Sequence, residues 1–307
     1  LKPTPLTGGI IFFINIFLFI LFDIFTVTNS VSGSNFLFDL RFISLKQIIV
    51  LFFVMFSIYL VSFYDDVYDI SPSKKTFLFL VILYLLFISN PNISISVLNF
   101  YIIDEKIYFN NFSIFFTLFC ILAFMNAANM FDGINLQSAI FYSSFIFIFF
   151  IKGIDQNFLL IFLIALIFFS YMNIKGKIFL GNNGSYFLSF LVSIIIICDH
   201  NWKQNYFVEE IFLYMLLPGI DMIRLTFIRI KNNRSPLTGD NNHIHHLLVK
   251  KFKYNISIII IFLFSFIPII LFNFFEANLL MLIFLFLLLY SILLLMCTDK
   301  NFKKKKI

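Results

Sequence analysis

The chain has 307 residues, of which 61% are hydrophobic, 21% aromatic and only 12% charged, with a formal net charge of +6 and a mean hydropathy of +0.98. Soluble domains carry about 45–50% apolar and about 25% charged residues, so a water-soluble globule, a disordered tail and a coiled coil are excluded, and an integral membrane protein is implied. The 49 Phe partly reflect compositional bias, and the information lies in the scarce residues: 10 Gly, 7 Pro, 4 His and 16 acids.

In chain order, ten apolar runs of the length needed to cross about 30 Å of hydrocarbon predict helices near 10–28, 46–63, 76–90, 112–127, 136–151, 157–172, 184–198, 209–229, 256–274 and 279–297. The runs are apolar all round, not alternating at period two, which excludes a transmembrane barrel. The expected fold class is all-α: a polytopic transmembrane helical bundle of about ten helices. No linker or repeat divides 1–307, which reads as one domain. The chain starts at Leu1 and enters its first helix without signal-peptide anatomy. It therefore reads as N-terminally truncated, with eleven helices in the full-length protein.

Ten crossings place alternate loops on the same side. Sixteen of the 22 Lys and Arg then fall on the side holding Lys74, Lys75, Lys175, Arg229 and the Lys303–Lys306 run; five fall on the other, and Arg224 lies within a helix. The excess marks the first side as cytoplasmic. Basic residues at that edge suit anionic lipid, so the bilayer accounts for the charge and no nucleic-acid partner is implied. Cys120, Cys198 and Cys297 sit singly in apolar runs without metal-ligand spacing.

The cytoplasmic-side loops also collect the unusual polar residues. PLTGG (5–9) precedes the first helix, DDVYD (65–69) follows the second, and NAANMFDGIN (126–135) ends the fourth. GKIFLGNNGS (176–185) leads out of the sixth, and DNNHIHH (240–246) follows the eighth. A transporter is expected to hold its ionisable groups near the bilayer midplane. Here they gather at one face, which suits a site where a charged, water-soluble substrate meets a lipid head group. Asp65 with Asp66, and Asp69 four residues on, place two carboxylates on one helical face, an arrangement suited to Mg²⁺. The small residues Gly181–Gly184 let backbone N–H groups approach a phosphate at a helix start. His243, His245 and His246 lack a Cys or second His cluster to complete a Zn²⁺ site. Binding of phosphate oxygens with Arg229, Lys231 and Arg234 is the better reading.

In this order, the motifs resemble the polyprenyl-phosphate N-acetylhexosamine-1-phosphate transferase family, over Pro5 to His246, about four fifths of the chain. PLTGG matches the loop after the family's first helix, DDVYD its acidic motif, NAANMFDG its Asn/Asp motif and GNNGS its Gly-Asp-x-Gly-Ser motif. HIHH preceded by Asp240 looks like the branch acting on UDP-N-acetylglucosamine and related sugars. The resemblance implies an enzyme of the bacterial inner membrane, active on the cytoplasmic face, that moves sugar-1-phosphate from a UDP-sugar to undecaprenyl phosphate and releases UMP. It implies Mg²⁺, or Mn²⁺ in its place, and allows a homodimer.

By residue, the resemblance implies Asp65, Asp66 and Asp132 as catalytic and Asp66, Asp132 and Asn182 as metal ligands. It implies substrate contacts from Asp69, Asn129, Asn135, Phe179 (stacked on uracil), Arg234, Asp240, His243, His245 and His246. Two departures stand out. Asn182 holds a position that is Asp in the family, a loss of one negative charge that weakens Mg²⁺ binding. In DGINLQ, Asn135 replaces an acid associated with nucleoside recognition, and Leu136 replaces a glycine. Two rival readings are a catalytically impaired relative that acts as a lipid-phosphate or nucleotide scaffold, and a transporter using Asp23 together with the pair Asp221 and Arg224. Those two are spaced i, i+3 and are expected to form a local pair.

Overall fold

The computed structural model describes residues 5–29, 45–236 and 242–298. Among them are eleven α-helices and one hairpin: α1 (Gly8–Asn29), α2 (Leu45–Tyr68), α3 (Pro72–Ser89), β1 (Val97–Phe100), β2 (Glu105–Tyr108), α4 (Ser113–Met130), α5 (Gln137–Ile151), α6 (Gln156–Ile174), α7 (Gly181–Lys203), α8 (Val208–Tyr214), α9 (Leu216–Lys231), α10 (Ile244–Phe275) and α11 (Leu279–Thr298). Among the described residues seven helices are long and apolar enough to cross a membrane, and α8 with α9 meets the same measure as a pair bent by 80°. α5, at 15 residues, reaches only about 22 Å. The protein is a multi-pass membrane bundle.

All ten predicted runs are helical, but the 209–229 run is two helices, not one. Pro218 has no N–H to close the turn on the Tyr214 carbonyl, and the chain turns at Met215. α10 also has a break: Lys253 takes φ +66°, ψ 167°. A short arm carrying the histidines thus precedes the apolar arm predicted at 256–274.

α7 is the centre of the bundle, buried along nearly its whole length and packed on α1, α2 and α4. Ser185, Ser189 and Ser193 recur once per turn. The hydroxyls of Ser189 and Ser193 bond the carbonyls four residues earlier at 2.7 and 2.8 Å. These small side chains allow close helix approach while their polar atoms stay satisfied. Closest of all is the crossing of Gly9 with the start of α7, where a Cβ on Gly9 would lie 1.7 Å from Asn183 Oδ1 and 2.4 Å from the Gly184 nitrogen.

The antiparallel hairpin pairs Val97 with Tyr108 and Phe100 with Glu105, in the stretch between the predicted runs 76–90 and 112–127. It is tied to the C-terminal end of α7 by His200, whose Nε2 lies 3.0 Å from the Val97 carbonyl oxygen, and to α8 by Glu209, which accepts the Tyr101 and Ile102 amides at 2.9 and 3.2 Å. The polar motifs lie at the other end of α7.

Candidate active site

The helix predicted to stop at 63 continues to Tyr68, so Asp65 and Asp66 ride on its last turn and not on a loop. Their carboxylates meet the start of α7. Asp66 Oδ1 accepts the Asn182 amide at 2.9 Å; its Oδ2 accepts the Asn183 amide at 3.0 Å and the Asn183 side-chain amide at 2.7 Å. The N-terminal amides expected to meet a phosphate are therefore engaged by the protein's own carboxylate, a favourable place for negative charge. Asp69 does not share a helical face with the pair. It takes φ +52° beyond the helix end and is exposed.

Asp65 is buried and fully engaged: Oδ2 accepts from Lys75 Nζ at 2.7 Å and Asn182 Nδ2 at 2.8 Å, and Oδ1 accepts the Ile70 amide at 2.9 Å. Asn182 is the hub. Its Oδ1 accepts from Asn129 Nδ2 at 2.7 Å, and the same Asn129 nitrogen donates to Ser185 Oγ at 2.7 Å. Asn129, Asp65, Asp66 and Asn182, from three helices, thus form one connected network.

Asp132 closes the site from the α4–α5 turn. The Ser138 hydroxyl donates to its carboxylate. Burial, with the nearby charge of Asp66, pushes its pKa up to about 6, against the lowering effects of Ser138 and the Gly181 amide. Mutual repulsion between Asp66 and Asp132 marks a place that a cation would stabilise. The donor set of two carboxylates and one amide oxygen suits a hard ion that keeps waters and takes substrate oxygens. Among the described residues no three His, Cys, Asp or Glu side chains converge on one point as a ready-made cage.

The turn after Asp132 is held by its backbone. Asn135, expected at the nucleoside, offers its main-chain carbonyl to Tyr254 Oη at 3.1 Å, and the Leu136 amide donates to Asn173 Oδ1 at 2.6 Å. Leu136 takes φ +65°. A left-handed backbone favours glycine, which is the residue that the resemblance puts at this position.

Of the histidines, His243 and His245 stack at 5.4 Å, and His245 lies 4.3 Å from His246. His245 is 1% exposed. Among the described residues neither of its ring nitrogens has a hydrogen-bond partner, and a Cβ on Gly133 would come within 1.9 Å of its Nε2. This contact joins the histidine arm to the Asp132 loop. Phe179 is 36% exposed and is pinned by PLTGG, with its amide donating to the Pro5 carbonyl and its carbonyl accepting the Gly8 amide, at 3.0 and 2.9 Å. Arg234 is exposed beyond α9. Arg229 is buried and donates to the Pro236 carbonyl at 2.8 Å, which makes it a brace for the loop and not a surface phosphate contact. Asp240 lies outside the described residues.

Sequence reasoning passed over three members of the site. The sequence marks Lys75 only as a loop charge, Asn183 only as part of GNNGS, and Asp221 only as the partner of Arg224. The Asp221–Arg224 pair is present at 2.7 Å, but the carboxylate also meets His243 from across the bundle.

An apolar groove of about 310 Å³ runs between α4, α7 and α8–α9, lined by Phe116, Phe124, Ala127, Ile196, Met215 and Met222 among others. Ala127 puts one end close to Asn129. A larger cavity, about 510 Å³, lies by the hairpin between Asn92, Tyr108, Asn201 and Trp202, away from the acids.

Residues 48–199, which carry the acidic pair, Asn129, Asp132 and Asn182, match the model of glycosyl transferase family 4. The chain belongs to this family. It is 28% identical over 198 residues to an undecaprenyl-phosphate alpha-N-acetylglucosaminyl 1-phosphate transferase of Escherichia coli O157:H7, a match covering 61% of this chain and 54% of that protein. The similarly named transferase of Escherichia coli K12 is 31% identical over 45% of this chain and 41% of its own length. That of Haemophilus influenzae is 30% identical over 25% and 22%. The chain thus spans about half the length of the curated relatives it matches.

Proposed function

We propose that this family 4 chain transfers sugar-1-phosphate, from an N-acetylhexosamine, out of a UDP-sugar onto undecaprenyl phosphate, releasing UMP and starting a lipid-linked surface polysaccharide. The observation that carries the reading is the meeting of Asp65, Asp66, Asn129 and Asp132 at the N-terminus of α7, beside the histidine arm. The names of the similar transferases support the same substrates. The excess of basic residues at this end supports a site facing the cytoplasm of an inner-membrane protein.

Mg²⁺, or Mn²⁺, would be held by Asp66, Asp132 and the Asn182 oxygen, and supplies neutralisation of charge on the pyrophosphate. The protein's own groups position and orient. Asp65, with three donors on its two oxygens, is tied up as an acceptor and suits positioning better than proton removal. A phosphate monoester is already largely ionised at neutral pH and needs little deprotonation. Lys75 brings a cation to the same corner, complementary to the lipid phosphate. The apolar groove beside Asn129 suits the first part of a polyprenyl tail. Phe179 offers an aromatic face to uracil, and the histidine arm offers ring nitrogens to phosphate or sugar oxygens.

The test incubates membranes containing the chain with undecaprenyl phosphate, Mg²⁺ and a panel of UDP-sugars. UMP and a lipid-pyrophosphate sugar are the expected products. Absence of both with every UDP-sugar overturns the reading.

A further inference from the structure

Asp221 lies in the first half of α9, outside every motif that marks the site, and is 2% exposed. A carboxylate so buried is costly unless its oxygens are satisfied, and here donors come from three separate elements. From α9, Arg224 reaches Oδ1 through Nη2 at 2.7 Å and Nε at 3.2 Å. From α11, the Tyr290 hydroxyl donates to Oδ1 at 3.0 Å. From the head of α10, the Ile244 amide lies 3.2 Å from both oxygens, and His243 Nδ1 lies 3.0 Å from Oδ2. Arg224 Nη2 also donates to the Asn242 carbonyl at 2.6 Å, so the residue before His243 is held by the same pair.

We infer that Asp221 is the positioning residue of the histidine arm: its carboxylate fixes the tautomer and ring plane of His243 so that Nε2 is presented as an acceptor to the hydroxyl and N–H groups of the nucleotide sugar. The inference rests on the function proposed above and extends it to a residue on another helix. With Nδ1–H directed at Asp221, Nε2 is the nitrogen left for substrate. The stack of His243 on His245 passes the same constraint to the ring that packs on Gly133, next to Asp132. One carboxylate thereby sets both the start of α10 and the aim of two imidazoles. Satisfaction of the Asp221 charge by Arg224 and Tyr290 leaves the His243 contact for orientation.

The test is a double-mutant cycle on the full chain, with UDP-N-acetylglucosamine and undecaprenyl phosphate as substrates and UMP release as readout. Asp221→Asn and His243→Ala are each expected to lower kcat by roughly 10- to 100-fold, with KM for the nucleotide sugar moved by less. Asp221→Asn/His243→Ala is expected to be no slower than His243→Ala alone, because the two act as a unit. Thermal unfolding of each variant in detergent reports the fold, and if Asp221→Asn does not fold, Asp221→Glu carries the same cycle. Multiplied losses in the double variant, or wild-type kcat in a folded Asp221 variant, overturn the positioning role while the transferase reading stands. A wild-type chain inactive with every UDP-sugar overturns both.

Discussion

The side-chain amide of Asn182 donates to Asp65 Oδ2 at 2.8 Å while its oxygen accepts from Asn129 at 2.7 Å. An aspartate at this position cannot donate, and it would set a second carboxylate against the first. Asn182 is therefore more than the loss of a metal-binding charge: it joins the acidic pair to α4.

Asn182→Asp is expected to pull in two directions. Added negative charge lowers the Mg²⁺ concentration at half-maximal UMP release by roughly tenfold. In EDTA the same variant unfolds at a lower temperature than the wild type, through repulsion with Asp65, and Mg²⁺ restores it. A half-maximal Mg²⁺ concentration equal to the wild-type value would show that residue 182 does not face the ion.

Asp132 gives the site a pH limit. Its raised pKa, about 6, means that below this value the carboxyl is protonated and a proton competes with any cation; above it, the carboxylate is free to bind. Apparent Mn²⁺ affinity, followed by electron paramagnetic resonance, is expected to be flat above pH 7 and to fall by up to about tenfold per unit below pH 6. Asp132→Asn binds more weakly and loses the limb. A flat wild-type profile from pH 5 to 7 would remove Asp132 from the ion's surroundings.

Leu136 tests the strained turn. Leu136→Ala and Leu136→Gly both delete the side chain, but only glycine relieves the φ of +65°, worth about 1 kcal/mol. The glycine variant is expected to melt about 2 °C above the alanine variant, the reverse of the usual order. Equal melting temperatures, or the usual order, would place the backbone elsewhere.

Two glycines separate assembly from chemistry. Gly9→Ala drives a methyl into the Gly184 backbone and is expected to cost about 1–3 kcal/mol of stability, read as lost monodispersity and a lower melting temperature. Gly133→Ala meets only the His245 ring at its closest contacts. Melting near the wild-type temperature is expected there, with UMP release at least tenfold slower. Normal turnover in Gly133→Ala would show that the close packing of His245 is dispensable.

The sequence alone established the solvent and the address. Run lengths and the lack of charge within them predict ten helices because hydrocarbon leaves the backbone few alternatives, and all ten runs are helical, the 209–229 run as two helices. Loop parity brought the polar motifs to one end because short loops between crossings must alternate sides. Asp65, Asp66, Asn129, Asp132 and Asn182 were legible for that reason, whereas Asp69 and Arg234 shared their loops but stand apart from the hydrogen-bonded network.

Only the tertiary structure decided how these residues meet. Hydrophobicity does not report that α2 runs more than a turn past its apolar stretch, that the 209–229 run bends by 80°, or that the amides of α7 are taken by Asp66. Nor could spacing link Asp221 with His243, 22 positions apart, or Asn182 with Asp65, 117 positions apart. Periodicity specifies which face an element buries, but a hydrogen bond between distant helices depends on their mutual rotation and depth. Here the crossing of Gly9 with Gly184 and the serine stripe of α7 set that geometry.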